Sequence, residues 1–178
     1  MPDVVRVSHT VQNANTTNLL RYNADYERLG MGFLAPRAIG TVSKVTLSLK
    51  KTGSPTGNIF VEIQTNASGA PSNTIVTNGT SANVDVSTLT TSFSFTYDFT
   101  FATPPTLTAG TTYHIVLKGD YLVSTINYAS WENDQNGTYA DGNGYRFNGS
   151  TWFGPITDFD FKVWGDPIKG GAFLMNLI

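Results

Sequence analysis

The sequence contains no cysteine and little charge, Asp, Glu, Lys and Arg together making 13% of 178 residues, about half the usual share of a globular chain. Without thiols there is no disulfide, no thiolate nucleophile and no Cys-ligated zinc, so stability must come from an apolar core or from neighbouring subunits. The 11 basic and 13 acidic residues leave a formal charge of -2. With no basic run, the counterion release that drives nucleic-acid binding has no source, and no nucleic-acid partner is expected. No run approaches the ~18 apolar residues of a membrane span. Met1-Pro2-Asp3-Val4-Val5-Arg6 lacks the basic start and apolar stretch of a secretory leader. These absences lead us to expect a chain without a membrane span, made and assembled in the cytoplasm.

Aromatic residues, by contrast, reach 12%, and the middle of the chain alternates with period two, the signature of a sheet with one buried face. Val45, Leu47 and Leu49 oppose Thr46 and Ser48, and Ile59, Val61 and Ile63 oppose Phe60, Glu62 and Gln64. The Gly/Pro cluster from Thr52 to Gly57 turns the chain between them, as a hairpin or an adjacent crossover. Phe93, Phe95, Tyr97, Phe99 and Phe101 form the longest same-face set, predicting a central core strand. Pro104-Pro105 ends it, and Ile115 and Leu117, then Phe159 and Phe161, continue the core list. Helical periodicity is lacking beyond a turn near Asn23 to Leu29. With shorter candidates at Val84 to Val86, Asn127 to Trp131 and Gly144 to Asn148, about eight strands result, and the pattern predicts an all-β fold, a two-sheet jelly-roll-type β-sandwich. Residues 1–30 read as an N-terminal lead-in or arm, 31–166 as the sandwich and 167–178 as a hydrophobic C-terminal arm.

From about residue 31 to 165 the chain resembles the choice-of-anchor and carbohydrate-binding-like jelly-roll modules of bacterial surface and phage proteins. Three stretches carry the likeness: LKKTGSPTGNIFVEIQT, LTAGTTYHIVLKGDY and YRFNGSTWFGPITDFDFKVWG. The resemblance implies a sandwich in an extracellular or virion setting and transfers no catalytic residue. Because neither leader nor anchor is expected, a virion is favoured over a cell surface.

Candidate chemistry is sparse, and we expect no enzyme. His9 and His114 are the only histidines, neither with an acidic neighbour in sequence. Asp158 and Asp160 flank Phe159 as a conceivable glycosidase pair, which solvent-facing alternation explains equally well. Structural calcium is possible at Asp134, Asp141 and Asn143, although Asx-turns account for the same residues; no other cofactor is expected. Residues 121–155 read as long loops rich in rings and amides, and there Trp131, Trp152, Tyr128, Tyr139 and Arg146 are candidates for glycan binding, since ring faces stack on sugar C–H faces while polar groups bond hydroxyls.

Two functions follow. The first is a non-enzymatic virion structural protein, a capsid, capsid-decoration or tail-associated jelly roll, joining copies of itself or other virion proteins through edges and termini. The alternative is a carbohydrate-binding module of a surface or secreted protein. The arm carries the first, because Phe173, Leu174, Met175, Leu177 and Ile178 follow a Gly170-Gly171 hinge and are too apolar to leave in water on a monomer. Deleting residues 170–178 is expected to preserve the β circular dichroism and cooperative melting but to yield a smaller species in analytical ultracentrifugation. A full-length chain that is already monomeric at micromolar concentration would contradict this.

Overall fold

The computed structural model describes residues 3–10, 16–37 and 39–166, with strand positions only for 16–18. The expected C-terminal arm lies outside the described residues. Fourteen strands follow one another as β1 (Val4–His9), β2 (Thr16–Leu20), β3 (Arg28–Leu34), β4 (Thr41–Thr52), β5 (Asn58–Ala67), β6 (Ala70–Thr80), β7 (Val84–Asp85), β8 (Ser94–Thr100), β9 (Thr112–Gly119), β10 (Tyr128–Asp134), β11 (Gly144–Phe147), β12 (Trp152–Ile156), β13 (Asp158–Phe159) and β14 (Phe161–Asp166). They form two antiparallel sheets of seven strands each, a β-sandwich. The first sheet runs β1-β14-β4-β10-β13, with β2 on β10 and β8 on β4; the second runs β12-β11-β3-β9-β5-β6, with β7 on β5. Among the described residues no helix is long and apolar enough to cross a membrane.

The core is what alternation predicts over most of its length. Val45, Leu47 and Leu49 from the first sheet and Val61, Ile63, Ile115 and Leu117 from the second are fully buried in one cluster. Phe159 stacks on Trp131 with ring centroids 4.5 Å apart, and Phe161 packs against Phe33 at 6.2 Å. The expected turn appears as a short 3-10 segment, Ala24–Tyr26, capped by the Asn23 side chain accepting from the Asp25 N–H.

Three expectations need correction. First, β4 and β5 are not a hairpin but belong to different sheets, so the Gly/Pro turn carries the chain across the sandwich. Gly53 is required there, at φ +67, because a Cβ would lie 2.1 Å from the Ile126 carbonyl oxygen. Second, residues 4–9 and 16–20, within the expected lead-in, supply β1 and β2 of the first sheet. Third, the strand read as the centre of the core is an edge strand, β8, paired only with β4.

This edge strand carries a β-bulge, which divides its aromatic run. Leu47 pairs with Tyr97 but Leu49 pairs with Ser94, so between these pairs β8 contains one more residue than β4. One extra residue reverses the facing of everything before it. Phe99 and Phe101 therefore stay in the core, whereas Phe93 and Phe95 turn to the outer face and are only partly buried. Phe99→Ala should cost ~3–5 kcal/mol in urea unfolding, whereas Phe95→Ala should cost under about 1 kcal/mol because its ring keeps water on one side. Equal losses would mean that both rings are core.

Candidate functional site

The bulge builds an open groove of about 630 Å³ on the outer face of the first sheet, lined by Thr10, Ser48, Phe93, Phe95, Glu132, Asp160 and Lys162. Each lining side chain has a local cause. Ser48 alternates with the buried Leu47 and Leu49 on β4, and Glu132 with the buried Trp131 and Asn133 on β10. Asp160 sits at the break between β13 and β14, where its N–H donates to the Glu132 carbonyl at 3.1 Å and its carbonyl accepts from the Trp131 indole at 2.8 Å. These two bonds fix the junction of three strands. The Ser48 hydroxyl donates to the Glu132 carboxylate. The Lys162 ammonium lies 4.3 Å from the Phe95 ring centroid and that of Lys50 4.5 Å from Phe93. Rings, carboxylates, hydroxyls and an ammonium thus share one surface.

The expected glycan residues are not gathered in this way. Strands β10 and β11 fall at the two short strands expected here, β12 is added to them, and the three are divided between the two sheets, which scatters their rings. Trp131 is fully buried, so it cannot be the exposed stacking platform. Trp152 donates to Asn73 Oδ1 at 3.2 Å on the second sheet. Arg146 nearby lies over the rings of Tyr26 and Phe153. Tyr128 meets Tyr22 edge-on, and Tyr139 packs against His9 and Phe161. Phe93 and Phe95, assigned to the core from alternation, are the rings the sequence reading missed. The dense Ser/Thr run before them was no guide to a bulge.

The three residues expected around calcium are also separated. The Asp134 carboxylate accepts from the Asn136 and Thr138 N–H groups at 2.9 and 3.1 Å and from the Thr138 hydroxyl at 2.5 Å. Asp141 and Asn143 line a different recess of about 360 Å³ on the second sheet, with Gly32, Asn66, Thr112 and His114. Among the described residues the group able to hold a metal is His9, Asp134 and Asp158. Asp158 and Asp160 do not act as a pair, since Asp158 belongs with His9 while Asp160 lines the groove.

His114 does lie on the non-core face of β9, yet it is fully buried there. Its Nε2 lies 3.0 Å from Asn66 Oδ1, and the Tyr145 ring meets it edge-on at 5.8 Å. Burial pushes its pKa down from 6.5 to about 4. Burial likewise lowers that of His9, partly offset by the neighbouring Asp158 and Asp134 carboxylates. Desolvation raises the pKa of Asp158.

No protein-family model matches the chain, and no curated protein matches it in sequence. Among solved structures it is similar to the cysteine protease and lectin-like domains of Cwp84, a surface layer associated protein of Clostridium difficile. The identity is 16% and the TM-score 0.42, over 78% of this chain and 32% of that one. At this distance the match says nothing about ligand or activity.

A buried neutral histidine makes stability depend on pH. The unfolded chain binds the proton near pH 6.5 and the folded chain only near 4, so the stabilisation is complete above 6.5 and is lost as pH falls through that window. His114→Gln should remove ~3 kcal/mol of this acid sensitivity, read as a flatter dependence of the urea midpoint on pH between 6.5 and 4. An unchanged slope would place the titration elsewhere.

Proposed function

We propose that the chain is a non-catalytic glycan-binding β-sandwich whose outer groove over β8, β10 and β14 takes neutral sugars. The single observation that carries this reading is the reversal of Phe93 and Phe95 by the bulge, which puts two half-buried rings on the outer face beside Glu132, Asp160, Ser48 and Lys162. Each ring forfeits part of the ~1.5–3 kcal/mol that full burial would give, a cost that a ligand stacking on them would offset. Ring faces suit the C–H faces of a sugar, while carboxylates accept from its hydroxyls. The lysines do not obstruct this, because an exposed cation–π contact is worth only about 0.5–1 kcal/mol. A displaced Lys162 ammonium can donate to a sugar oxygen instead.

Charge selects the sugar class. Glu132 and Asp160 are matched by Lys162 in the groove and by Lys50 over Phe93, so charge of neither sign dominates, which fits neutral glycans rather than polyanionic ones. Such a domain would work where glycans are displayed, outside a cell or on its surface. The virion reading rested on the C-terminal arm, which lies outside the described residues. Among those residues no observation favours it.

The test is a glycan array followed by calorimetry on the ligands it identifies. Phe95→Ala, which should fold, is expected to weaken binding at least about tenfold, an aromatic anchor being worth about 1.4 kcal/mol or more. Trp152→Ala should leave affinity unchanged. An array blank for the intact chain, or binding lost with Trp152 and kept without Phe95, would overturn the proposal.

A further inference from the structure

Three side chains suited to metal ligation converge from distant parts of the chain at one end of the first sheet. His9 closes β1, Asp134 closes β10 and Asp158 opens β13, the two aspartates being register partners. One ligand atom from each lies within 4.8 Å of the others, and His9 Nε2 stands 3.7 Å from Asp134 Oδ2. All are buried, at 9%, 2% and 1% exposure. That distance is too long for a hydrogen bond. His9 Nε2 has no hydrogen-bond partner among the described residues, although buried polar atoms are nearly always paired. Two carboxylates side by side out of water repel, and among the described residues the charged groups facing Asp158 are His9 and Asp134. A cation bound between them would offset the repulsion and give the His9 nitrogen a partner.

We propose that His9, Asp134 and Asp158 hold one divalent transition-metal ion, zinc foremost, which pins β1 to β10 and β13. The ligands would be His9 Nε2 and one oxygen from each carboxylate. Ligand atoms on a tetrahedral ion with bonds of about 2.0–2.2 Å are spaced roughly 3.3–3.6 Å apart, so the 3.7 Å between His9 and Asp134 is near the required spacing and the set, which lies within 4.8 Å, must close by at most about 1 Å. Both carboxylates are already oriented from behind. The Asn136 and Thr138 N–H groups and the Thr138 hydroxyl hold Asp134, and the Tyr139 N–H donates to Asp158 Oδ2 at 2.8 Å. Such outer bonds are the usual support of metal ligands. The imidazole nitrogen decides the metal, since calcium and magnesium take oxygen ligands while zinc and its neighbours accept a mixed nitrogen and oxygen set. Three protein ligands leave a position for water. Asp134 was a calcium candidate, but here its partners and its ion are different. The site does not depend on the glycan reading.

The test uses the full chain stripped with chelator and titrated with Zn²⁺ by calorimetry, with Co²⁺ as a visible-absorption probe. Saturable binding of one ion per chain at micromolar concentration is expected, with Co²⁺ bands that Zn²⁺ abolishes. His9→Gln and Asp158→Asn should each weaken binding at least about tenfold, and His114→Gln should not. Because the chain has only two histidines, proton NMR of the unmodified protein gives a readout that needs no variant. Zn²⁺ should shift the His9 imidazole signals and leave those of His114 in place. No saturable binding, a shift confined to His114, or full affinity in a folded His9→Gln chain would each overturn the site.

Discussion

The outer face of the first sheet depends on the one-residue excess in β8. Opposite the pairs Leu47–Tyr97 and Leu49–Ser94, the extra residue divides a run of five aromatic residues between two environments. Tyr97, Phe99 and Phe101 remain with the inter-sheet core, and Phe93 and Phe95 come to lie over Lys50 and Lys162. An edge strand can take such a bulge because only β4 has to accommodate it; a central strand would disturb two ladders. The same feature breaks the regular edge, which protects the sheet against pairing with another chain, and creates the groove.

The position of β4 explains where the groove lies. This twelve-residue strand pairs with β8 along one side and with β14 and then β10 along the other. The junction of β14 and β10 falls where Asp160 interrupts the chain, tied to Glu132 and Trp131 by backbone and indole hydrogen bonds. Trp131 thus contributes indirectly: its ring fills the core against Phe159, and its N–H holds the carbonyl of the residue whose side chain lines the groove. At the end of the same sheet, His9, Asp134 and Asp158 close the strands β1, β10 and β13 around one point, a second use of polar residues where the apolar core gives out.

The fold class was readable because period-two alternation is a property of sequence alone. Val45 to Leu49, Ile59 to Ile63, Ile115, Leu117, Phe159 and Phe161 all lie where their spacing places them. The strand number was not, since β1 and β2 fall in the stretch read as a lead-in and β13 has two residues and no period to detect. The groove was hidden for a specific reason. A bulge changes the meaning of alternation without changing the alternating letters, so Phe93 and Phe95 looked identical to Phe99 and Phe101. Trp131 could be read two ways, as the end of the short strand Asn127 to Trp131 or as a ring of a glycan cluster, and its full burial decides for the core. Sequence placed Asp134 among potential metal ligands by its residue type. It could not identify His9 and Asp158 as partners, because contacts over 125 and 24 positions arise only from sheet register.

The central claim is that the reversed rings form a ligand surface on the first sheet. It is tested most directly by mapping chemical-shift changes in ¹⁵N and aromatic ¹³C spectra while a neutral oligosaccharide is titrated into the full chain. The account predicts saturable shifts concentrated on the Phe93 and Phe95 rings and on the amides of Ser48, Glu132, Asp160 and Lys162, with Trp152 and Arg146 unmoved. Shifts concentrated instead on Trp152, Phe153 and Arg146 would contradict it, placing the binding surface on the second sheet.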